Sequence, residues 1–122
     1  MRQNTGWADG HWHVPAGHGE DGESATVTLV REAAEEIGLV IDPAEVRFVH
    51  LVHHWTGSAR VAVFFEVTRF VGEPVNTEPH KCAEWRWFPL SARPTPMIGY
   101  AAQALACYVK GEPYSERVWQ ER

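Results

Sequence analysis

Lysine is almost missing from this sequence: among 122 residues only Lys81 and Lys110 carry a side-chain ammonium, and the formal net charge is −5. A protein that grips a nucleic-acid polymer neutralises phosphates with a basic face, so the balance here argues against such a partner. Cysteine is nearly as scarce. Cys82 and Cys107 are too few for a disulfide framework and read as small buried or half-buried hydrophobes, which fits a reducing cytoplasm. No apolar run approaches the roughly 20 residues that cross a bilayer. Met1-Arg2-Gln3-Asn4-Thr5-Gly6 holds no apolar signal core, so the expectation is neither a membrane protein nor a secreted one. Repeats, low-complexity tracts and linkers are absent too, and the length suits one domain over 1–122.

What is present is an ordinary globular composition, 44% hydrophobic and 22% charged, which supports a real core. Residues 1–11 read as a polar loop, Trp12-His13-Val14-Pro15 as a short extended piece, and Gly17 to Gly22 as a glycine-rich turn. Ser24 can cap a helix running to about Ile37, with Gly38 as its stop. Val46 to Trp55 and Arg60 to Phe70, rich in β-branched and aromatic residues, predict an antiparallel hairpin around Thr56-Gly57-Ser58-Ala59. Glu84 to Pro89 alternates like a strand, and Met97 to Lys110 predicts a second helix ended by Gly111. That order gives a small layered α/β or α+β domain.

The first helix carries the chemistry. At about 100° per residue, Thr26, Leu29, Val30, Ala33, Ala34 and Ile37 gather on one side, while Glu32, Glu35 and Glu36 share roughly the opposite one. Three carboxylates at i, i+3 and i+4 repel, and only Arg31 lies close in sequence to soften this. Glutamate-rich solvated faces are common, because glutamate is a good helix former. A hard divalent cation is the other explanation, since Mg²⁺ takes carboxylate oxygens together with substrate phosphates. An acidic protein handling an anion needs such an outside source of positive charge.

The longer spacing decides between them. From Gly17 the chain follows G-x5-E-x7-R-E-U-x-E-E-x-G-U, U being aliphatic, through Glu23, Arg31, Glu32, Ala33, Glu35, Glu36, Gly38 and Leu39. Seven fixed positions at ordinary residue frequencies match by chance on the order of once in 10⁸–10⁹ trials. The pattern resembles the Nudix box. That resemblance implies a Nudix-type α/β/α sandwich with a mixed sheet, and a hydrolase acting on nucleoside diphosphates linked to another moiety. The preferred expectation is a nucleoside triphosphate cleaved to the monophosphate. The alternatives are hydrolysis of a nucleotide sugar or related conjugate, and a catalytically silent nucleotide-binding regulatory domain. Glu32, Glu35 and Glu36, with a carbonyl near Gly17, are implied to hold Mg²⁺ or Mn²⁺. Arg31 is implied to orient the carboxylates and Glu23 to brace the turn, with Glu32 or Glu36 as general base.

The resemblance continues outside the box. Asn4 to Gly10 with Trp12 to Pro15 looks like the segment that leads into it, and Asn76 to Phe88 like a downstream loop that closes over the site in triphosphate-acting members. There Glu78 and Glu84 are candidate auxiliary ligands or bases; solvated loop carboxylates are the plainer reading. Trp7, Trp12, Trp55 and Phe65 are candidates to stack on a base, core or edge packing being the commoner use of such residues. His53-His54-Trp55 stands where family members acting on ADP-ribose or diadenosine polyphosphates carry a proline or a tyrosine, so neither substrate is expected. His11, His13 and His18 sit in loops without settled zinc-ligand spacing, and on a strand His50 and His54 would share one face and His53 the other. Only sixteen residues precede Gly17, so a strand usual in the family is expected to be missing, and the edge it leaves to be covered by a second copy of the chain.

Overall fold

Helix α1, Ala25–Ile37, begins where the Ser24 hydroxyl accepts from the Val27 amide at 3.2 Å and ends at Gly38, whose φ of 69° only glycine adopts without strain. The computed structural model describes residues 1–118. Ala33 and Ile37 of α1 are buried with Leu39 and Ile41, and Leu29, Val30, Val46, Val67 and Trp85 pack against that cluster. Ala34, expected on the buried side, is exposed: the inward stripe is narrower than the apolar one. A short 3₁₀ turn, Pro43–Glu45, is capped by Asp42 and leads into the first strand.

The chain separates into two compact units, one of Met1–Val46 with Val67–Ile98 and one of Arg47–Glu66 with the chain from Gly99 on. In the first unit, residues 1–24 hold no regular strand among the described residues, only single bridges between Arg2 and Cys82 and between Trp12 and Met97. Val40 and Val71 exchange both backbone hydrogen bonds at 2.9 Å, closing the chain after α1 onto the chain after the hairpin. Glu84 to Pro89 forms no strand, a correction to the expectation from its alternation. Alternation supplies a face, but a strand also needs a ladder. Here pairing stops at Cys82, with Ala83 N donating to Met1 O and the Met1 amine to Glu84 O.

The second unit is built on strands β1, Val46–Trp55, and β2, Ala59–Val67, joined by a tight turn at Gly57. A connection that short makes the pair antiparallel. Helix α2, Gly99–Lys110, starts two residues later than expected, because Met97 and Ile98 are held extended by pairing with Trp12. A further strand, β3, Tyr114–Arg117, runs parallel to β1 with Leu51 opposite Tyr114 and His54 opposite Arg117, giving the order β2-β1-β3. The sequence reading did not anticipate β3. Four mostly polar residues carry no pattern of their own, and long-range hydrogen bonds hold them in place. His50 and His54 are buried on one face of β1, as alternation requires. His50 Nδ1 lies 2.7 Å from Glu112 O, and His50 Nε2 lies 2.7 Å from Ser115 Oγ. A carbonyl cannot donate, so in the neutral ring Nδ1 carries the proton and Ser115 donates to Nε2.

Gly38 sets the length of α1, and an added Cβ there would meet Val75 Cγ2 at 2.9 Å as well as the positive φ. Gly38→Ala is therefore expected to lower stability by about 1–2 kcal/mol in urea unfolding. An unchanged midpoint would show that the left-handed cap is dispensable.

Candidate active site

The guanidinium of Arg31, projecting from the middle of α1, uses all five of its N–H donors. Nε donates to Glu23 Oε2 at 2.7 Å and Nη2 to Glu23 Oε1 at 3.0 Å, a two-pronged contact. The second Nη2 proton goes to His18 O at 3.1 Å, and Nη1 divides its two between Glu32 Oε1 at 2.8 Å and Glu35 Oε2 at 3.0 Å. Glu20 adds an ion pair at 3.8 Å. One side chain thus ties the glycine-rich turn, the helix and two of its three carboxylates together. Lysine, a point charge with three donors, could not replace that planar fork.

Glu23 faces back toward the turn, where it also accepts from the Glu20 amide at 2.9 Å and the Thr28 hydroxyl at 3.1 Å. These bonds, the Arg31 contact first among them, pull its carboxyl down to about 2. Arg31 is pushed further above its already high value by the same contacts. Glu36 lies elsewhere. Half-buried, it accepts from the Ala16 amide at 3.1 Å and feels Glu32 and Glu78 beside it; burial first, then like charge, raise its carboxyl to about 7.

Gly17 has a reason to be glycine that the sequence reading did not supply: its backbone runs so close to the Glu32 carboxyl group that any Cβ would overlap it. Other participants were missed as well. Ala16 and His18 act through backbone atoms, which a motif does not show. The Thr77 hydroxyl reaches the carbonyl oxygens of Glu35 and Glu36 from more than forty residues away; the run Asn76-Thr77-Glu78, rich in turn formers, was the available signal.

Of the auxiliary candidates, Glu78 is brought beside Glu36, whereas Glu84 is paired with Arg86. Trp7 and Trp12 belong to the first unit. Trp7 is exposed beneath the Arg2 guanidinium at 4.9 Å, and Trp12 packs edge-on against Phe88 at 4.9 Å. Trp55 and Phe65 belong to the second unit, where Phe65 meets Phe48 edge-on at 6.5 Å.

Whether these residues fit a divalent cation turns on donor chemistry. Glu32, Glu36 and Glu78 offer crowded, mutually repelling carboxylates, hard oxygen donors of the type Mg²⁺ takes. Among the described residues no three His, Cys, Asp or Glu side chains already converge as a cation cage. Arg31 engages one oxygen each of Glu32 and Glu35. The donors fit in kind.

The match to known proteins follows this geometry. The NUDIX domain family model matches residues 1–106, and the chain belongs to that family. It is 32% identical over 105 residues to a Mycobacterium tuberculosis (strain CDC 1551 / Oshkosh) protein named "Putative mutator protein MutT4", a match covering 83% of this chain and 41% of that protein. The chain thus spans about two fifths of that relative's length. Among solved structures, a MutT NUDIX hydrolase from Burkholderia pseudomallei superposes with a TM-score of 0.73 at 28% identity, covering 80% of this chain and 77% of the other. The mixed α+β architecture with its mixed three-stranded sheet is that of a Nudix fold. No described helix is long and apolar enough to cross a membrane.

Two outcomes test this construction. Gly17→Ala is expected to cost about 1 kcal/mol, because the added Cβ displaces the Glu32 carboxyl from its bond to Arg31. Gly19→Ala, whose Cβ would meet only Thr28 Oγ1 at 3.1 Å, should cost less; equal unfolding midpoints would refute the Gly17–Glu32 approach. The second concerns pH. A carboxyl held near 2 when folded and near 4.5 when unfolded adds stability above pH 4.5, and that stability is lost as pH falls toward 2. Glu23→Gln should remove this part of the acid dependence, read as a flatter stability curve between those limits.

Proposed function

We propose that this chain is a divalent-metal-dependent hydrolase of phosphoanhydride bonds in nucleoside diphosphates linked to another group, with nucleoside triphosphates, cleaved to the monophosphate, as the preferred substrate class. The observation that carries the proposal is the division of the α1 carboxylates. Arg31 fixes Glu32 and Glu35 through one oxygen each, while Glu36 stands crowded against like charge. The names of the Mycobacterium and Burkholderia relatives, a mutator protein and a hydrolase, support the same class.

Glu32, Glu35 and Glu36 would hold the cation, with a backbone carbonyl near Gly17 as a further donor. When bound, it supplies charge neutralisation on the pyrophosphate oxygens and Lewis-acid activation of the attacking water. The chain's own residues prepare that position. Arg31 fixes the rotamers of Glu32 and Glu35 before any ligand arrives, so less ordering remains to be done on binding. Glu23 holds Arg31 and through it the turn, and Gly17 leaves room for the Glu32 carboxyl. The Ala16 amide steadies Glu36, which with Glu32 is a candidate to take the proton of the attacking water. An acidic chain has little else with which to meet a polyphosphate; in the first unit Arg2, Arg69, Arg86 and Arg93 are the remaining guanidinium groups.

Release of nucleoside monophosphate with Mg²⁺, measured by chromatography across nucleoside triphosphates, nucleotide sugars and dinucleotides, should show turnover that chelation abolishes. Glu35→Gln and Glu36→Gln are expected to lower it by about 10²–10⁴-fold with folding retained. Normal turnover in both variants would overturn the roles given to them; no release from any nucleotide with Mg²⁺ or Mn²⁺ would overturn the reaction.

A further inference from the structure

Helix α1 carries its charges at the wrong end for its dipole. No acidic residue lies in its first turn and no basic one in its last, whereas Glu35 and Glu36 sit in the last turn, where carbonyl groups already present negative partial charge. Glu36 is further crowded by Glu32 and Glu78. Such a terminus favours fraying, yet it is the part of the helix that must hold still for a cation.

The last four carbonyls of a helix have no partner within it, and here all four are accounted for. The Ala34 carbonyl accepts from the Gly38 amide at 3.2 Å, within the left-handed cap. The remaining three are met from a distant segment. Ile37 O accepts from the Val75 amide at 2.9 Å, Glu36 O from the Thr77 hydroxyl at 2.8 Å and its amide at 3.4 Å, and Glu35 O from the same hydroxyl. That segment is itself fixed. Asn76 Oδ1 accepts from the Glu78 amide at 3.1 Å, Asn76 Nδ2 donates to Cys82 O at 2.7 Å, and Glu78 O accepts from the Lys81 and Cys82 amides at 2.9 and 2.8 Å.

We infer that Thr77 is a positioning residue for the carboxylate site: its hydroxyl, shared between the carbonyls of Glu35 and Glu36, holds the last turn of α1 against its own charge and docks the segment that brings Glu78 beside Glu36. Thr77 touches no substrate in this role. It acts through the backbone of the two glutamates, and the chain gives this work to a side chain because the amides of Val75 and Thr77 alone leave Glu35 O unmet. The inference rests on the metal-binding reading proposed above, and its test separates the two.

Thr77 is exposed, so Thr77→Val keeps the shape and removes only the hydroxyl, while Thr77→Ser restores it. Binding of Mn²⁺, followed by the electron paramagnetic resonance of the free ion, reports on the site without turnover. Thr77→Val is expected to bind Mn²⁺ about 3–10-fold more weakly than the wild type, up to the worth of roughly one hydrogen bond, with binding recovered in Thr77→Ser. Wild-type protein that takes up no Mn²⁺ would sink the metal-binding reading and this inference with it. Wild-type uptake with equal affinity in Thr77→Val overturns the inference alone, and so does weak binding that Thr77→Ser fails to restore. Should Thr77→Val not fold, amide exchange of the wild type decides: Mn²⁺ is expected to slow the Val75 and Thr77 amides, and rates indifferent to the ion overturn the coupling.

Discussion

A single guanidinium is set against a surplus of acid in the first unit. Arg31 brings one positive charge to Glu20, Glu23, Glu32 and Glu35, so the group it organises still carries a formal charge of 1 − 4 = −3. Without Arg31 the glycine-rich turn would keep only its Thr28 and Glu36 contacts to the helix, and Glu32 and Glu35 would be left to repel. With it, every donor of the guanidinium is spent and the turn is locked at His18 and Glu23. The remaining geometry follows from that lock: Gly17 passes against Glu32 because Glu32 is held, and the Ala16 amide reaches Glu36 because the turn is held.

The surplus of negative charge is a cost to the helix and, on the reading proposed above, an asset in binding a cation. Acid residues near a helix C-terminus oppose the macrodipole, and like charges four residues apart add to the penalty. Sequences rarely keep such an arrangement for stability, and functional sites are where local rules are broken. The compensation is spread over the structure: five N–H bonds from Arg31, one from Ala16, and the segment 75–77 across the helix end.

What could be read from sequence was local, and what could not was long-range. The limits of α1 were legible because Ser24 and Gly38 cap it through bonds to residues three to five positions away. The hairpin was legible because β-branched residues flank a glycine turn. Arg31, Glu23 and the three helix glutamates were legible because their spacing is that of a family motif, not because spacing alone shows who bonds whom. Strand β3 was illegible because the strand it pairs with, β1, lies more than sixty residues earlier. The Glu84–Pro89 segment misled because alternation specifies a face and is silent about a partner. Thr77 was passed over for the same reason, since a hydroxyl in a loop acquires its meaning only from the carbonyls it reaches.

On the metal-binding reading proposed above, a guanidinium and a metal ion would share one set of acids. Rivalry would follow if Arg31 took both oxygens of Glu32 or Glu35, as it does with Glu23. It takes one from each: Oε1 of Glu32 and Oε2 of Glu35. A carboxylate has lone pairs on both oxygens and can accept from a guanidinium on one while the other ligates. Glu23, gripped through both oxygens, is the structural member of the set. Glu32 and Glu35, each gripped through one, keep a second oxygen free of Arg31, and Glu36, which Arg31 does not touch, is steadied by the Ala16 amide instead.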